Sequence, residues 1–188
     1  LQSSIESLHK RGYRPAIGNA PLKENLAAGL LKMTEWNGTK PLVDLMCGSG
    51  TFLIEAINQT LKVPLKAQQF YLFENWLDFN KYIFLEEKNK AQKRVITFEK
   101  LSKIIGCEIN KDVFDQARVN IKLAGLENYI ELQNDDFKNI QFKSSEGLVL
   151  CNPPYGKKIG DENELITLYE GMGEFLKRNF SGWEFWLL

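Results

Sequence analysis

Short apolar runs and amphipathic stretches with helical spacing alternate along the chain. The apolar runs have the length typical of buried strands and predict five strands, over 41–46, 103–108, 129–133, 147–152 and 183–188. The amphipathic stretches predict helices from about residue 21, over 51–59, from about 80 to 100, over 110–124 and over about 164–178. Strands that alternate with helices predict an α/β fold, a doubly wound and mostly parallel sheet with helices on both faces.

The 188 residues have the length of one domain. We interpret residues 1–40 as an N-terminal linker with the leading helix, and residues 41–188 as the main domain. An insertion over about 60–102 lies between the first strand–helix unit and the second strand, and it is rich in aromatic residues. The sequence begins without Met and stops in the apolar run 186–188, so we expect it to be part of a longer polypeptide.

The composition is that of an ordinary globular protein, with 44% hydrophobic residues, 26% charged residues and no net charge. This balance argues against a disordered or fibrous chain, and no apolar run approaches the ~18 residues of a membrane span. Cys47, Cys107 and Cys151 form no Cys-x-x-Cys pair, and His9 is the only histidine. We therefore expect no metal site, no disulfide framework, no histidine-dependent hydrolase, and a reducing compartment, the cytoplasm.

An acidic residue and two glycines connect the first predicted strand to the helix that follows. Residues 44–51 are Asp-Leu-Met-Cys-Gly-Ser-Gly-Thr, a spacing in which glycines let the backbone turn and approach a ligand closely. The third glycine of a dinucleotide fingerprint is replaced by Leu53, and the Gly-Lys-Ser/Thr of a phosphate-binding loop is absent. The loop suits a cationic, phosphate-free nucleoside, with Asp44 towards its amino acid part. A tight connection capped by an aspartate is the alternative.

Acidic residues also follow the second and third predicted strands. Glu108 could accept both hydroxyl hydrogens of a ribose, and Asp135 or Asp136 could accept from an adenine amino group with Phe137 against the ring. Each carboxylate alone could instead cap a helix or a turn. In series after the glycine loop, they predict an S-adenosylmethionine site.

The fourth predicted strand ends in Asn152-Pro153-Pro154-Tyr155. The prolines remove backbone donors, so that nearby carbonyl groups are left for an outside donor. An exocyclic amine on a planar base could donate to the Asn152 side-chain oxygen and to the Pro153 carbonyl while its ring stacks on Tyr155. Hydrogen bonds from the amine to these two acceptors would aim the nitrogen lone pair at a sulfonium methyl group. Direct displacement of the methyl group from sulfur depends mainly on such positioning. A surface turn that stops at the two prolines is the alternative.

Two sets of candidate site residues follow from these motifs. The catalytic candidates are Asn152, Pro153, Pro154 and Tyr155. The cofactor-binding candidates are Asp44, Met46, Cys47, Gly48, Gly50, Thr51, Phe52, Glu108, Ile109, Asp135, Asp136, Phe137 and Asn152.

Five stretches, 8–14, 20–24, 44–51, 73–76 and 152–156, resemble class I S-adenosylmethionine-dependent methyltransferases. More narrowly, they resemble the RNA guanine-N2 methyltransferases with an N-terminal THUMP domain, which include enzymes of large-subunit ribosomal RNA. The resemblance implies methyl transfer to the exocyclic N2 amine of a guanine in RNA, with 23S-type ribosomal RNA as the expected substrate. It also implies seven strands, so that the five predicted here would be truncated before a terminal antiparallel hairpin, with the THUMP domain absent upstream.

Five basic residues, Lys10, Arg11, Arg14, Lys157 and Lys158, are candidate phosphate contacts, although solvated side chains explain them as well. Adenine N6 in nucleic acid and the side-chain amide of a protein glutamine stay open as substrates, because the same Asn-Pro-Pro-Tyr motif serves both. A non-catalytic RNA-binding module with a relict cofactor pocket is the alternative of another class. All of these hypotheses except the last require that the 44–51 loop and the 152–155 turn lie at the same edge of one sheet.

Overall fold

Five parallel strands form the central sheet of the computed structural model, which describes residues 10–14, 22–64, 70–96, 101–155 and 162–188. The strands are β1 (Leu42–Asp44), β2 (Ile104–Cys107), β3 (Ile130–Gln133), β4 (Leu148–Cys151) and β5 (Glu184–Leu187). They lie in the order β3-β2-β1-β4-β5, and each neighbouring pair is parallel. The predicted α/β fold with a mostly parallel sheet is confirmed.

Helices follow the strands in the alternation that the hydrophobic pattern predicts. They are α1 (Glu24–Met33), α2 (Thr51–Thr60), α3 (Lys81–Lys93), α4 (Lys111–Leu123) and α5 (Glu162–Asn179), with short 3-10 turns over Leu72–Asn75 and Phe137–Asn139. The side chains of Asn80 and Asn110 accept hydrogen bonds from the first free amides of α3 and α4, which fixes where these two helices begin. Within the described residues, no helix is long and apolar enough to cross a membrane.

The sheet buries an apolar layer on each of its two faces. Leu42 and Ile104 belong to one core cluster, which also contains residues of α1, α2 and α4. Their neighbours Val43 and Ile105 belong to the other cluster, which contains Phe175 and further residues from α5 and the turn after it. Because successive side chains of a strand point to opposite faces, both faces need apolar residues when helices cover both.

The order of the strands reverses at β1, which lies between β2 and β4. The chain leaves β1 through α2 and builds β2 and β3 on one side, then returns to build β4 and β5 on the other side. In open parallel sheets, the crevice at the carboxyl ends of the strands beside such a reversal is where ligands bind.

The insertion differs from its prediction in the length of its helix. We predicted a helix from about 80 to 100, whereas α3 ends at Lys93. The amide of Val95 bonds to the Gln92 carbonyl and the amide of Ile96 bonds to the Leu61 carbonyl, so the backbone leaves the helical ladder there. None of the α3 residues is buried, and the insertion packs on its own aromatic rings, with Phe73 stacked on Tyr71 at 5.1 Å between ring centroids.

The first helix begins at Glu24, and Pro21, the predicted start, lies outside the described residues. Lys23 occupies the capping position with extended backbone. The domain boundaries that we assigned from the sequence stay a prediction.

We expect Gly106→Ala to destabilise the domain by ~1–3 kcal/mol. A methyl group at Gly106, in the middle of the sheet, would overlap the Leu53 side chain and lie 3.0 Å from Leu132. Gly29→Ala is the matched control, because its methyl group meets no atom within 4 Å and an alanine in an exposed helix should stabilise by ~0.5–1 kcal/mol. Urea denaturation measures both, and a Gly106→Ala variant as stable as the parent contradicts the packing described for β2.

Candidate functional site

A cavity of about 900 Å³ lies at the carboxyl ends of β1, β2, β3 and β4. Most of the residues singled out from the sequence line it, and they come from four separate loops. The lining includes Asp44, Met46, Cys47, Gly48, Thr51, Phe52, Glu108, Ile109, Asp135, Asp136, Phe137, Asn152, Pro153 and Pro154. The 44–51 loop and the turn after β4 therefore lie at the same edge of the sheet, as the predicted site requires.

The two glycines of the loop after β1 serve different purposes. Both have left-handed backbone, with φ of 54° at Gly48 and 83° at Gly50. A side chain at Gly48 would meet no atom within 4 Å, and Gly48 lines the cavity, so this glycine leaves space for a ligand. Gly50 is not among the described lining residues. It caps α2 and packs against α4, where an added methyl group would lie 3.5 Å from Ile121.

The Glu108 carboxylate connects the glycine loop to the start of α4. One of its oxygens accepts from the Gly48 amide at 3.1 Å and the other accepts from the Asn110 amide at 2.8 Å. Each carboxylate oxygen has a second lone pair, so Glu108 retains the capacity to accept hydrogen bonds from a ligand in the cavity.

The sequence did not single out Asn120, which holds the same loop from behind. This buried side chain of α4 donates to the Ser49 carbonyl at 3.0 Å. The cavity lining also includes residues that were not among the candidate site residues: Leu22, Leu45, Ser49, Asn110, Asp112, Val113, Gln116 and Leu168. The residues between 110 and 116 form the start of α4, which directly follows Glu108. Their position next to a predicted site residue could have identified them from the sequence.

Asp44 is a buried carboxyl group at the end of β1, with 1% of its surface exposed. Burial raises its pKa to about 8, the nearby negative charge of Glu108 adds to the shift, and a hydrogen bond from the Met46 amide at 3.2 Å opposes it. The group is therefore mostly protonated at neutral pH until a cation comes close to it.

The three cysteines are free, buried thiols. Burial raises the pKa of Cys107 to about 11, and it also raises the pKa of Cys47 and that of Cys151 well above the ordinary thiol value. A neutral thiol is a poor nucleophile, so Cys47 contributes surface to the cavity rather than thiolate chemistry. Among the residues that the structure describes, no group of three or more His, Cys, Asp and Glu side chains could hold a metal ion.

The end of β3 places two carboxylates and one aromatic ring at the cavity. Asp135 accepts from the Asp136 amide at 2.7 Å and from the Asn139 side chain at 2.8 Å. Asp136 caps the short turn that follows, through the Lys138 amide. The Phe137 ring is 5% exposed and packs edge-on against Phe175, with 5.5 Å between the ring centroids.

The turn after β4 carries an unsatisfied acceptor. The side-chain oxygen of Asn152 is buried and has no hydrogen-bond partner in the described part of the chain. The Tyr169 hydroxyl, from α5, donates to the Pro154 carbonyl at 3.3 Å and supports the turn. Tyr155 is 56% exposed and is not among the described lining residues, so its predicted place beside a base would need the ring to turn towards the cavity.

The predicted phosphate contacts have different surroundings. The side chain of Arg11 is 15% exposed and that of Arg14 is 9% exposed, and they pair with Glu55 and Glu24 inside the domain. These partners favour a structural role for both arginines over the predicted contact with RNA. Lys10 is exposed, whereas Lys157 and Lys158 lie outside the described residues.

The fold and the composition of this cavity are those of a class I S-adenosylmethionine-dependent methyltransferase. Residues 11–188 match the family described as RMKL-like, methyltransferase domain, and the chain belongs to that family. S-adenosylmethionine is accordingly its cofactor. A solved structure of SMU.472, named as a candidate methyltransferase and complexed with SAH, superposes with a TM-score of 0.89 at 30% identity. That match covers 98% of this chain and 48% of the other.

Further relatives have names that specify a substrate. A candidate RNA methyltransferase of Synechocystis sp., slr0064, is 42% identical over 97% of this chain and 48% of its own length. The ribosomal RNA large subunit methyltransferase K/L of Marinomonas sp. is 39% identical over 100% of this chain and 27% of its own length. A structure from Listeria monocytogenes, named a predicted N6-adenine-specific DNA methylase, has a TM-score of 0.88 at 33% identity and covers 98% of this chain and 48% of the other. The chain therefore spans half or less of these relatives.

The residues at the cavity fit this cofactor chemically. The sulfonium nucleoside has two ribose hydroxyls, an adenine amine, and an amino acid end with one ammonium and one carboxylate group. The cavity presents acceptors from two strand ends, Glu108 after β2 and Asp135 and Asp136 after β3, with open space at Gly48.

We expect the stability difference between the parent and Asp44→Asn to depend on pH. Between its ordinary pKa of 3.8 and about 8, Asp44 holds its proton in the folded chain and has lost it in the unfolded chain. The free energy of unfolding of the parent should therefore fall by up to ~1.4 kcal/mol per pH unit as pH rises through this window, from this group alone. The substituted amide would keep an acceptor for the Met46 amide but has no such proton to lose.

Urea denaturation of both proteins at a series of pH values from about 5 to about 8 measures this difference. Titration of groups remote from Asp44 cancels in the comparison. Curves that stay parallel across the whole range would show that the pKa of Asp44 is not raised.

Proposed function

We propose that this domain transfers a methyl group from S-adenosylmethionine to the exocyclic N2 amine of a guanine in RNA, with large-subunit ribosomal RNA as the substrate. The observation that carries the proposal is the buried, unpartnered Asn152 side-chain oxygen, which has no partner among the described residues and lies in the same cavity as the glycine loop. A buried acceptor without a partner costs ~1–3 kcal/mol, so its presence favours a ligand that donates to it.

Three parts of the cavity would hold the cofactor. Glu108 would accept from the ribose hydroxyls, and Asp135 or Asp136 would accept from the adenine amine. Asp44 lies beside the ligand's ammonium group in this arrangement and would lose its proton as that cation binds. When bound, the cofactor supplies an electrophilic methyl group on its sulfonium sulfur.

The turn after β4 would hold the nucleophile. One hydrogen of the guanine amine would donate to the Asn152 oxygen and the other to the Pro153 carbonyl. The Pro154 carbonyl already accepts from the Tyr169 hydroxyl. The Asn152 oxygen and the Pro153 carbonyl are therefore the two acceptors proposed for the substrate. These bonds draw the nitrogen lone pair out of conjugation and orient it towards the methyl group, so catalysis rests on orientation. The N–C bond would form as the bond between sulfur and the methyl carbon breaks, which would leave S-adenosylhomocysteine, and the amine proton would depart to water.

RNA as the substrate is supported by the names of two relatives, slr0064 and methyltransferase K/L. A guanine in a stem would have to leave the base stack to reach Asn152. Contacts to the rest of such an RNA would lie largely outside this chain, which has no net charge of its own. The three buried free thiols suit a reducing compartment, and we propose the cytoplasm.

Adenine N6 in DNA is a second candidate substrate, favoured by the name of the Listeria monocytogenes methylase. The Asn152 oxygen and the Pro153 carbonyl would accept from either amine. Nucleoside mass spectrometry of RNA and DNA from a deletion strain separates the two. Loss of N2-methylguanosine from ribosomal RNA supports the proposal, whereas loss of N6-methyl-2′-deoxyadenosine from DNA alone supports the second candidate.

In the full-length protein, we expect Asn152→Ala to lower the rate of methyl transfer by about 100-fold, because one of the two acceptors that orient the amine is lost. The affinity for S-adenosylhomocysteine, measured by calorimetry, should change far less than this rate. Transfer of labelled methyl to ribosomal RNA under single-turnover conditions gives the rate.

Asn37→Ala is the matched control for Asn152→Ala. Asn37 is exposed, accepts from Thr39 in the loop before β1, and is therefore at the opposite edge of the sheet. This control is expected to methylate at the parental rate. An Asn152→Ala variant that also methylates at the parental rate would remove Asn152 from the reaction.

A further inference from the structure

A buried polar cluster behind the glycine loop is not explained by the reaction described so far. It joins the N-terminal segment 10–14 to α1 and α2. The Tyr13 hydroxyl donates to the Glu55 carboxylate at 3.0 Å, and Arg11 approaches the same carboxylate at 3.5 Å. The Glu55 side chain is 0% exposed, so the segment is anchored through a carboxylate that the core surrounds.

Arg14 extends this cluster to the wall of the cofactor cavity. One terminal nitrogen of its guanidinium donates to the Leu22 carbonyl at 3.0 Å and to the Thr51 hydroxyl. The other lies 3.9 Å from Glu24. Leu22 and Thr51 both line the cavity, whereas Arg14 is not among its described lining residues. Arg14 therefore touches two pieces of the wall from outside the cavity.

The bond from Arg14 determines what the Thr51 hydroxyl can do. The guanidinium is always charged and only donates, so it takes a lone pair of the Thr51 oxygen and excludes the hydroxyl proton from that direction. That proton can point towards the Ser49 hydroxyl, 3.5 Å away, or into the cavity that both residues line. Thr51 is also the first residue of α2, where free amides favour an anion.

We propose that Arg14 is a positioning residue, which holds the Thr51 hydroxyl as a hydrogen-bond donor to the carboxylate at the amino acid end of the cofactor. This inference rests on the proposed use of S-adenosylmethionine in this cavity. It gives the two ends of the ligand's amino acid part separate partners: Thr51 and the start of α2 for the carboxylate, and Asp44 for the ammonium group.

Calorimetry with two ligands tests the proposal on the full-length protein. S-adenosylhomocysteine carries the amino acid part with its carboxylate and ammonium groups, and 5′-methylthioadenosine has the same nucleoside and sulfur without either group. Arg14→Lys keeps the positive charge but lacks the planar fork, and we expect it to weaken S-adenosylhomocysteine binding about tenfold. Binding of 5′-methylthioadenosine should stay at the parental affinity.

Thr51→Val provides a second route to the same result, and it applies even where Arg14→Lys does not fold. It removes the hydroxyl while keeping the shape of the side chain, and it should cause the same selective loss. The double variant Arg14→Lys/Thr51→Val should bind S-adenosylhomocysteine no more weakly than Thr51→Val alone. Both changes act on the same hydrogen-bond donor, the Thr51 hydroxyl, so their effects should not add.

Tyr13→Phe is the matched control, since it removes a buried hydrogen bond to Glu55 from the same segment without touching the cavity wall. It should lower the thermal stability and leave both affinities unchanged. The role of Arg14 would be overturned if a variant lost affinity equally for the two ligands. It would also be overturned if Arg14→Lys or Thr51→Val, once folded, bound S-adenosylhomocysteine as tightly as the parent. If the parent protein itself binds neither ligand, the proposed function fails instead.

Discussion

The pairing of β1 with a parallel neighbour on each side is the constraint on which the site depends. Leu42 lies opposite Ile104 of β2 and opposite Leu148 of β4, so that three strands run in one direction and end at one edge. Their loops therefore meet, although residues 44, 108 and 152 are far apart in the sequence. Since the strand order reverses at β1, helices on opposite faces leave a crevice between these loops. A one-residue slip of β1 would turn its buried side chains to the wrong faces.

Two polar groups at the edge of this crevice are buried at a cost to the stability of the fold. Asp44 is buried beside the negative charge of Glu108, and the Asn152 oxygen has no partner in the described part of the chain. Such groups cost stability when the cavity holds only water and become strong contacts when a ligand supplies the missing charge or donor. Local departures from good packing of this kind are expected where a protein binds or reacts.

Much of the fold could be predicted because it follows from local patterns. The period of the apolar residues located each strand to within a few residues and placed a helix over 110–124, where α4 begins with Asn110 as its cap. The end of α3 could not be predicted in this way. The apolar period does not mark the end of α3 at Lys93, after which the backbone leaves the helical ladder and the Ile96 amide bonds to the distant Leu61 carbonyl.

The sequence by itself determined the chemistry that the chain can offer: glycines where the backbone must turn, carboxylates after successive strands, and an asparagine followed by two prolines. The glycine loop and the Asn-Pro-Pro turn each lie within a few positions, and each carboxylate directly follows its own strand, so short-range geometry is sufficient to interpret each of them. Only the tertiary structure decided which of these groups meet. In sequence, Arg14 resembles the exposed Lys10, yet burial directs it to Thr51, 37 residues away. Packing between residues that are far apart in the sequence decides whether a side chain is buried and which groups it contacts. The same positive charge can therefore contact phosphate on the surface or form hydrogen bonds inside the domain.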